Sequence, residues 1–422
     1  MNLIALGITV LSLVIWSGLL GFRGQFWRAN QRLEVQATEL EFWPRVCAVI
    51  PARNEAQLLP LTLRSLLKQD YPGSFSVILV DDHSTDGTAQ VARKLAQEAQ
   101  QAQKLQVISA QPLPPGWTGK LWALEQGICY AQQQTPPPDY FLLTDADIEH
   151  ESTNLRQLVT KGETQKLDLV SLMVLLRCQS FWEQLLIPAF VFFFQKLYPF
   201  PWVNNPNNST AAAAGGCILI RHQALNRIGG LQVVRQALID DCALAQAVKS
   251  SVDKQLHSKM VVEIDAEKMN VLPLNATRYE SELSPSSAIW LGLTDSTHSL
   301  RPYPSLASIW DMVARTAFYQ LNYSPWWLMG TLLGMTLIYL VPPLAAILGA
   351  LTGNWLIATA GFSSWLLMAG AYLPTLQLYQ CSPLLAFCLP AIAFLYNLMT
   401  LDSALRHWQG RGGGWKGRVY SG

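Results

Sequence analysis

Charge is scarce in this sequence. Only 14% of its 422 residues are Asp, Glu, Lys or Arg, and half are apolar, whereas about a quarter of an ordinary soluble chain is charged. The deficit is concentrated: between Arg315 and Asp402 there is no Asp, Glu, Lys, Arg or His. A soluble core helix cannot explain an uncharged run of that length, and membrane spans can. A basic excess is also missing, since the net charge is +1, so neither nucleic acid nor an acidic polymer is an expected partner. The seven cysteines form no Cys-x-x-Cys pair, and no His stands at ligand spacing from them. Structural zinc is therefore not expected, and the irregular set reads as reduced, partly buried thiols facing the cytosol.

The apolar residues mark out an organisation. Residues 3–20 are apolar and are followed by Arg23, Arg28 and Arg32, which predicts an uncleaved anchor over 1–22 with its basic flank on the cytoplasmic side. A globular domain follows over 41–320. Its short β-branched runs Val46–Pro51 and Val77–Asp81, continued by Leu105–Ser109, Tyr140–Thr144, Leu169–Leu175 and Cys217–Ile220, alternate with helical patterns. That alternation predicts an α/β fold, a mostly parallel sheet flanked by helices, with ligands at the carboxyl ends of the strands. Residues 180–203 are aromatic and broken by Pro188, Pro199 and Pro201, as in a helix lying at the membrane interface; a buried helix of the globular domain is the alternative. Polar residues over 250–287 read as a surface insertion. The region 326–402 divides into three apolar segments, Trp326–Ala350, Trp355–Leu376 and Leu384–Leu401, before a basic tail over 403–422. Three crossings would carry that tail outside, against the positive-inside tendency. A re-entrant segment split at Pro342-Pro343, or four tight spans, would return it to the cytoplasm.

The strand ends carry the chemistry. The first ends in Pro51-Ala52-Arg53-Asn54-Glu55 with no Gly-x-Gly-x-x-Gly, so dinucleotide binding fails at its first requirement. The second ends in Val80-Asp81-Asp82-His83-Ser84-Thr85-Asp86; Ser84 or Asp86 suits a helix cap, and Asp82 can accept from a base or a ribose. Asp145-Ala146-Asp147 follows an apolar strand, and two such carboxylates can hold Mg2+ or Mn2+ whose shell is completed by substrate phosphates. Lys120 near a helix start can meet a diphosphate with its charge and the free backbone N–H groups, although the loop before it is no Walker A sequence. Asp240 and Asp241 open another helix, where acidic residues suit the dipole and also suit a general base.

In this order the segments resemble family-2 glycosyltransferases of the GT-A fold: Pro51–Glu55, Val80-Asp81-Asp82, Asp145-Ala146-Asp147, Gly215-Gly216-Cys217, then Asp240-Asp241. Within that group the chain looks closest to hopanoid-associated membrane glycosyltransferases, through Gly116–Ala123, Ile187–Phe194, Ala211–Cys217, Ile239–Ala243, Leu300–Pro304 and Leu401–Arg418. The resemblance implies an inverting transfer from a nucleoside diphosphate sugar, a UDP-sugar by preference, to a membrane lipid such as a hopanoid. A carotenoid or other polyprenoid acceptor is the alternative, and a non-catalytic sugar-nucleotide-binding scaffold is a reading of another class. It also implies roles. Pro51, Asn54, Glu55, Asp82, Lys120 and Asp145 would bind the donor, Asp145 and Asp147 the metal, and Asp241 would be the base, supported by Asp240. Gly216, Arg301 and Arg315 would be acceptor or phosphate contacts. The Gln-x-x-Arg-Trp motif of processive synthases is absent; Met312–Thr316 takes its place, which argues against polymerisation. The protein is expected in the inner membrane with its catalytic domain in the cytoplasm.

Overall fold

The computed structural model describes residues 2–34, 40–251, 288–411, 414–415 and 418–419. The insertion expected at 250–287 falls almost wholly outside the described residues, as does most of the tail beyond Arg411. Helix α1 (Asn2–Phe22) opens the chain. It is followed by β1 (Val46–Ala52), α2 (Leu59–Leu67), β2 (Phe75–Asp81), α3 (Thr88–Glu98), β3 (Leu105–Ser109), α4 (Gly119–Gln132), β4 (Tyr140–Thr144) and β5 (Ile148–Glu149). Next come α5 (Asn154–Thr164), β6 (Leu169–Leu176), α6 (Phe181–Leu197), α7 (Phe200–Val203), β7 (Cys217–Arg221) and α8 (His222–Arg227). Helix α9 covers residues 240–251. After it run β8 (Ile289–Ser299), α10 (Leu306–Ala314), α11 (Ala317–Gln320), α12 (Pro325–Met335), α13 (Val341–Leu351), α14 (Trp355–Leu378) and α15 (Leu389–Trp408). The chain forms two compact units.

One unit, residues 33–174 and 202–297, is built on a sheet of order β3-β2-β1-β4-β7-β6-β8-β5. Every residue of β1 is buried, as a strand covered on both faces requires. Strands β1, β2, β3 and β4 pair in parallel, but β7 runs antiparallel to β4 and to β6. The mostly parallel sheet expected from the sequence is therefore corrected to a mixed one. Helical crossovers make β1 to β4 parallel; the connection from β6 to β7 passes through α6, in the other unit, and returns against β4. Strand β8 was missed because Ile289–Leu293 stands beside the insertion, and β5 because two residues carry no period.

The mixed topology decides where the polar loops meet. The ends of β1, β2 and β4 lie on one edge of the sheet, and the Thr144↔Cys217 register brings the start of β7 to the same edge. Helix α4 lies on this sheet through Gly127, where an added Cβ would stand 2.4 Å from Val49 Cγ1. With Thr118 accepting from Leu121 N as N-cap, the packing fixes the first turn of α4.

The other unit comprises residues 1–32, 175–201 and 298–422. By length and apolar composition, four stretches among its described residues suit a membrane crossing: Leu3–Phe22, Pro325–Leu351, Trp355–Leu378 and Pro383–Trp408. The Pro342-Pro343 pair does not split its segment. Pro342 has no N–H, which leaves the carbonyl four residues earlier, Ile338, without a helical donor. The helix widens to a π-turn over Thr336–Leu340, and Ile338 O accepts from Trp16 Nε1 at 2.6 Å. Helix α6 belongs to this unit. Ser180 and Glu183 form a capping box at its start, and buried Glu183 also accepts from Arg177 and from Tyr303 N.

Candidate active site

The loops after β1 and β2 are stitched together before any ligand is considered. Asn54 takes a left-handed φ of 54°; its N–H donates to Ser84 Oγ and its Oδ1 accepts from Thr85 N at 2.9 Å. Asp86 accepts from Ala56 N and from Thr88 N. Neither of the two expected caps is the N-cap of α3, which is Gly87 with no side-chain bond; Asp86 lies one residue before it and holds Thr88 N, and Ser84 braces the neighbouring loop. Glu55 is buried at 6% exposure, with its N–H bonded to Thr88 Oγ1. Asp82 is only 1% exposed, and Arg53 donates to its backbone oxygen at 2.7 Å. Glu55 and Asp82 therefore sit at adjacent strand ends, the position expected of groups that recognise a nucleoside.

Across the edge, four charged side chains converge. Lys120 Nζ, in the first turn of α4, stands 2.9 Å from Asp145 Oδ1 and 3.4 Å from Asp240 Oδ2. Asp241 Oδ2 accepts from Gly215 N at 2.7 Å, and its Oδ1 from Cys242 N at 2.8 Å. Protein atoms crowd Asp241, although part of its surface still reaches solvent. This desolvation, with Asp240 alongside, raises its pKa from 3.8 to about 6, against the pull of Lys120 and the two N–H groups. Burial by itself would lower the Lys120 pKa, but Asp145, Asp240 and Asp241 outweigh it and hold the ammonium well above its usual range. Pro51, Lys120, Asp145, Gly215, Asp240 and Asp241 line one cleft, whose free volume is about 10 Å³, the room of a single water.

Gly215 and Gly216 stand at close approaches. A Cβ on Gly215 would lie 3.1 Å from Lys120 Nζ and 3.3 Å from Asp241 Oδ2; one on Gly216 would lie 3.1 Å from Val174 Cγ2 and 3.2 Å from Ile148 Cδ1. The loop is held by residues that the sequence did not single out. Thr144 Oγ1 donates to Gly216 O at 2.8 Å, so it accepts from His150 Nε2 at 2.9 Å, and His150 Nδ1 accepts from Asn154 Nδ2. Burial lowers the His150 pKa to about 4, leaving a neutral ring with one fixed tautomer. Ser171 Oγ both donates to Ala214 O and accepts from Ala214 N. A Ser inside the apolar strand Leu169–Leu176 was the available signal for that clamp, because a buried hydroxyl needs partners.

All the expected donor, metal and base residues lie in one unit; Arg301 and Arg315 belong to the other. Asp147 is 5% exposed, whereas the Asp145 side chain is 35% exposed. Among the described residues no three His, Cys, Asp or Glu side chains converge as a ready metal cage. The donor set is nonetheless hard oxygen, and three carboxylates surround one ammonium, leaving net negative charge. Such a set fits a divalent cation bound by one or two carboxylates and completed by phosphate oxygens.

Residues 47–229 match the model described as Glycosyl transferase family 2. A 4,4'-diaponeurosporenoate glycosyltransferase from Staphylococcus haemolyticus is 32% identical over 104 residues, which are 25% of this chain and 24% of that protein. The match thus spans about a quarter of that relative. Among solved structures, the mannosyltransferase PcManGT from Pyrobaculum calidifontis, in complex with GDP-Man and Mn2+, aligns with 94% of this chain and 98% of its own at 17% identity and TM-score 0.46. TarS of S. aureus in complex with UDP-GlcNAc aligns with 87% of this chain and 92% of its own at 13% identity and TM-score 0.37. The region that matches the glycosyltransferase family 2 model contains strands β1 to β7, with Lys120, Asp145 and the Gly215-Gly216 loop.

Proposed function

We propose that this protein transfers a sugar from a nucleoside diphosphate donor, a UDP-sugar by preference, to a membrane lipid, with inversion at the anomeric carbon. The convergence of Asp145, Asp240, Asp241 and Lys120 at the carboxyl edge of the sheet carries this reading. Glu55 and Asp82 would recognise the nucleoside from the ends of β1 and β2. Lys120 would meet the diphosphate.

Asp241 is the acceptor's base. Gly215 N–H and Cys242 N–H fix its plane and leave a lone pair on each oxygen for an incoming hydroxyl. Desolvation and Asp240 raise its proton affinity towards the working pH, where a general base is most effective. Asp240 thereby tunes the base. A divalent cation held by Asp145, with Asp147 beside it in sequence, would stabilise negative charge on the departing diphosphate.

Two acceptor classes were expected. The diaponeurosporenoate glycosyltransferase relative supports a carotenoid-like polyprenoid over a hopanoid. The four apolar helical stretches support residence in the inner membrane, and Arg23, Arg28 and Arg32 after the first of them support a cytoplasmic catalytic unit.

The full chain purified in detergent would be offered UDP- and GDP-sugars with Mn2+ or Mg2+, and with polyprenoid or hopanoid lipids in turn. Lipid-stimulated release of nucleoside diphosphate, lost in Asp241→Asn, is the expected result. A folded protein that binds the donor but releases nothing with any lipid would leave the scaffold reading in its place.

A further inference from the structure

A cation already sits among the carboxylates of the cleft. Lys120 Nζ lies within ion-pair distance of Asp145 Oδ1 and Asp240 Oδ2, and Gly215 supplies the slot it needs: a Cβ there would stand 3.1 Å from Nζ. Those two carboxylates are also the hard oxygen donors that a divalent cation would seek. An ammonium bonded to Asp145 at 2.9 Å competes directly with any metal that would share that oxygen, since two cations at such range repel strongly. The cleft that holds the ammonium leaves only about 10 Å³ free. The root of Lys120 is fixed, because α4 is pinned to the sheet at Gly127. Its four-carbon stem is flexible. The ammonium can therefore change partners while the helix stays in place.

We propose that Lys120 is a built-in counter-ion of the donor site, which pairs Asp145 and Asp240 in the donor-free protein and releases Asp145 when a divalent cation enters with the nucleoside diphosphate. The inference rests on the glycosyltransferase reading above and extends it to the order of ligands. With no diphosphate present, Lys120 has no alternative anion and holds its carboxylates, so the cation binds weakly. With the diphosphate present, the ammonium gains phosphate oxygens and the carboxylate gains the cation. Cation and nucleotide are then thermodynamically coupled, each strengthening the other by the same factor.

Calorimetric titration of the detergent-solubilised full chain with Mn2+ alone, with UDP or GDP alone, and with Mn2+ at saturating nucleotide tests this. The wild type should bind Mn2+ weakly alone and more tightly with nucleotide. Lys120→Gln should bind Mn2+ alone roughly tenfold or more tightly than the wild type, because a unit positive charge a few ångströms away has gone, and its enhancement by nucleotide should shrink. Lys120→Arg keeps the charge and should retain weak Mn2+ binding, which separates loss of charge from loss of fold. Equal or weaker Mn2+ binding by Lys120→Gln overturns the proposal. Nucleotide binding without Mn2+ binding in either protein overturns it while leaving the donor site intact. Absence of nucleotide binding as well would sink the glycosyltransferase reading itself.

Discussion

Replacing Asp241 by Asn should move activity and stability in opposite directions. Its pKa stands at about 6 in the folded protein against an ordinary 3.8, so the fold disfavours the charged form. The folded value is the higher one, so this group's contribution to stability is fully present below about pH 4 and is lost as pH rises through about 6. The two-unit difference corresponds to about 3 kcal/mol at neutral pH. Asn removes that charge but cannot serve Gly215 N and Cys242 N with two acceptor oxygens, and one lost hydrogen bond costs about 1 kcal/mol. The variant should therefore be more stable than the wild type by about 2 kcal/mol at pH 7.5, and no more stable at pH 4. Turnover should fall by about 10²–10⁴-fold, as expected for loss of a general base. Thermal unfolding at the two pH values, together with nucleoside diphosphate release, measures both effects. In the wild type, release should decline as pH drops below about 6, where Asp241 takes up its proton. A variant destabilised at pH 7.5, or one with normal turnover, would refute the assignment of Asp241 as a desolvated base.

Other perturbations test the scaffold around the cleft. Gly216→Ala places a methyl group against Val174 and Ile148 and should cost roughly 1–3 kcal/mol through overpacking, read as a lowered midpoint in chemical denaturation. His150→Gln should abolish an acid sensitivity: the wild type loses this group's contribution as pH falls from about 6.5 to about 4, and melting curves across that window should show the loss only with His present. Lys249, 6% exposed, donates to the backbone oxygens of Trp202, Val203 and Thr210. Lys249→Met strands those carbonyls and should destabilise the unit by roughly 3 kcal/mol, measurable as faster proteolysis between β6 and β7.

The sequence by itself located six strands of the main sheet, because a buried strand reads as a short apolar run, and β1, β2, β3, β4, β6 and β7 lie where those runs stand. It also located the apolar helices, since an uncharged run of more than eighty residues admits few alternatives. The carboxylates were legible for a similar reason: Asp82, Asp145 and Asp240-Asp241 each follow a strand or open a helix, where local pattern and chemistry coincide. Topology was decided only in three dimensions. Strand–helix alternation cannot reveal that β7 returns antiparallel to β4, because direction depends on the path of the connection rather than on the composition of the strand. That reversal puts the Gly215-Gly216 loop beside Thr144 and lets Gly215 N hold Asp241. The pairing of Lys120 with Asp145 and Asp240 was likewise invisible. Residues far apart in sequence meet there because the sheet, through Gly127, sets the position of α4. Sequence supplied the ionisable groups, and tertiary packing decided which of them hold one another in the cleft.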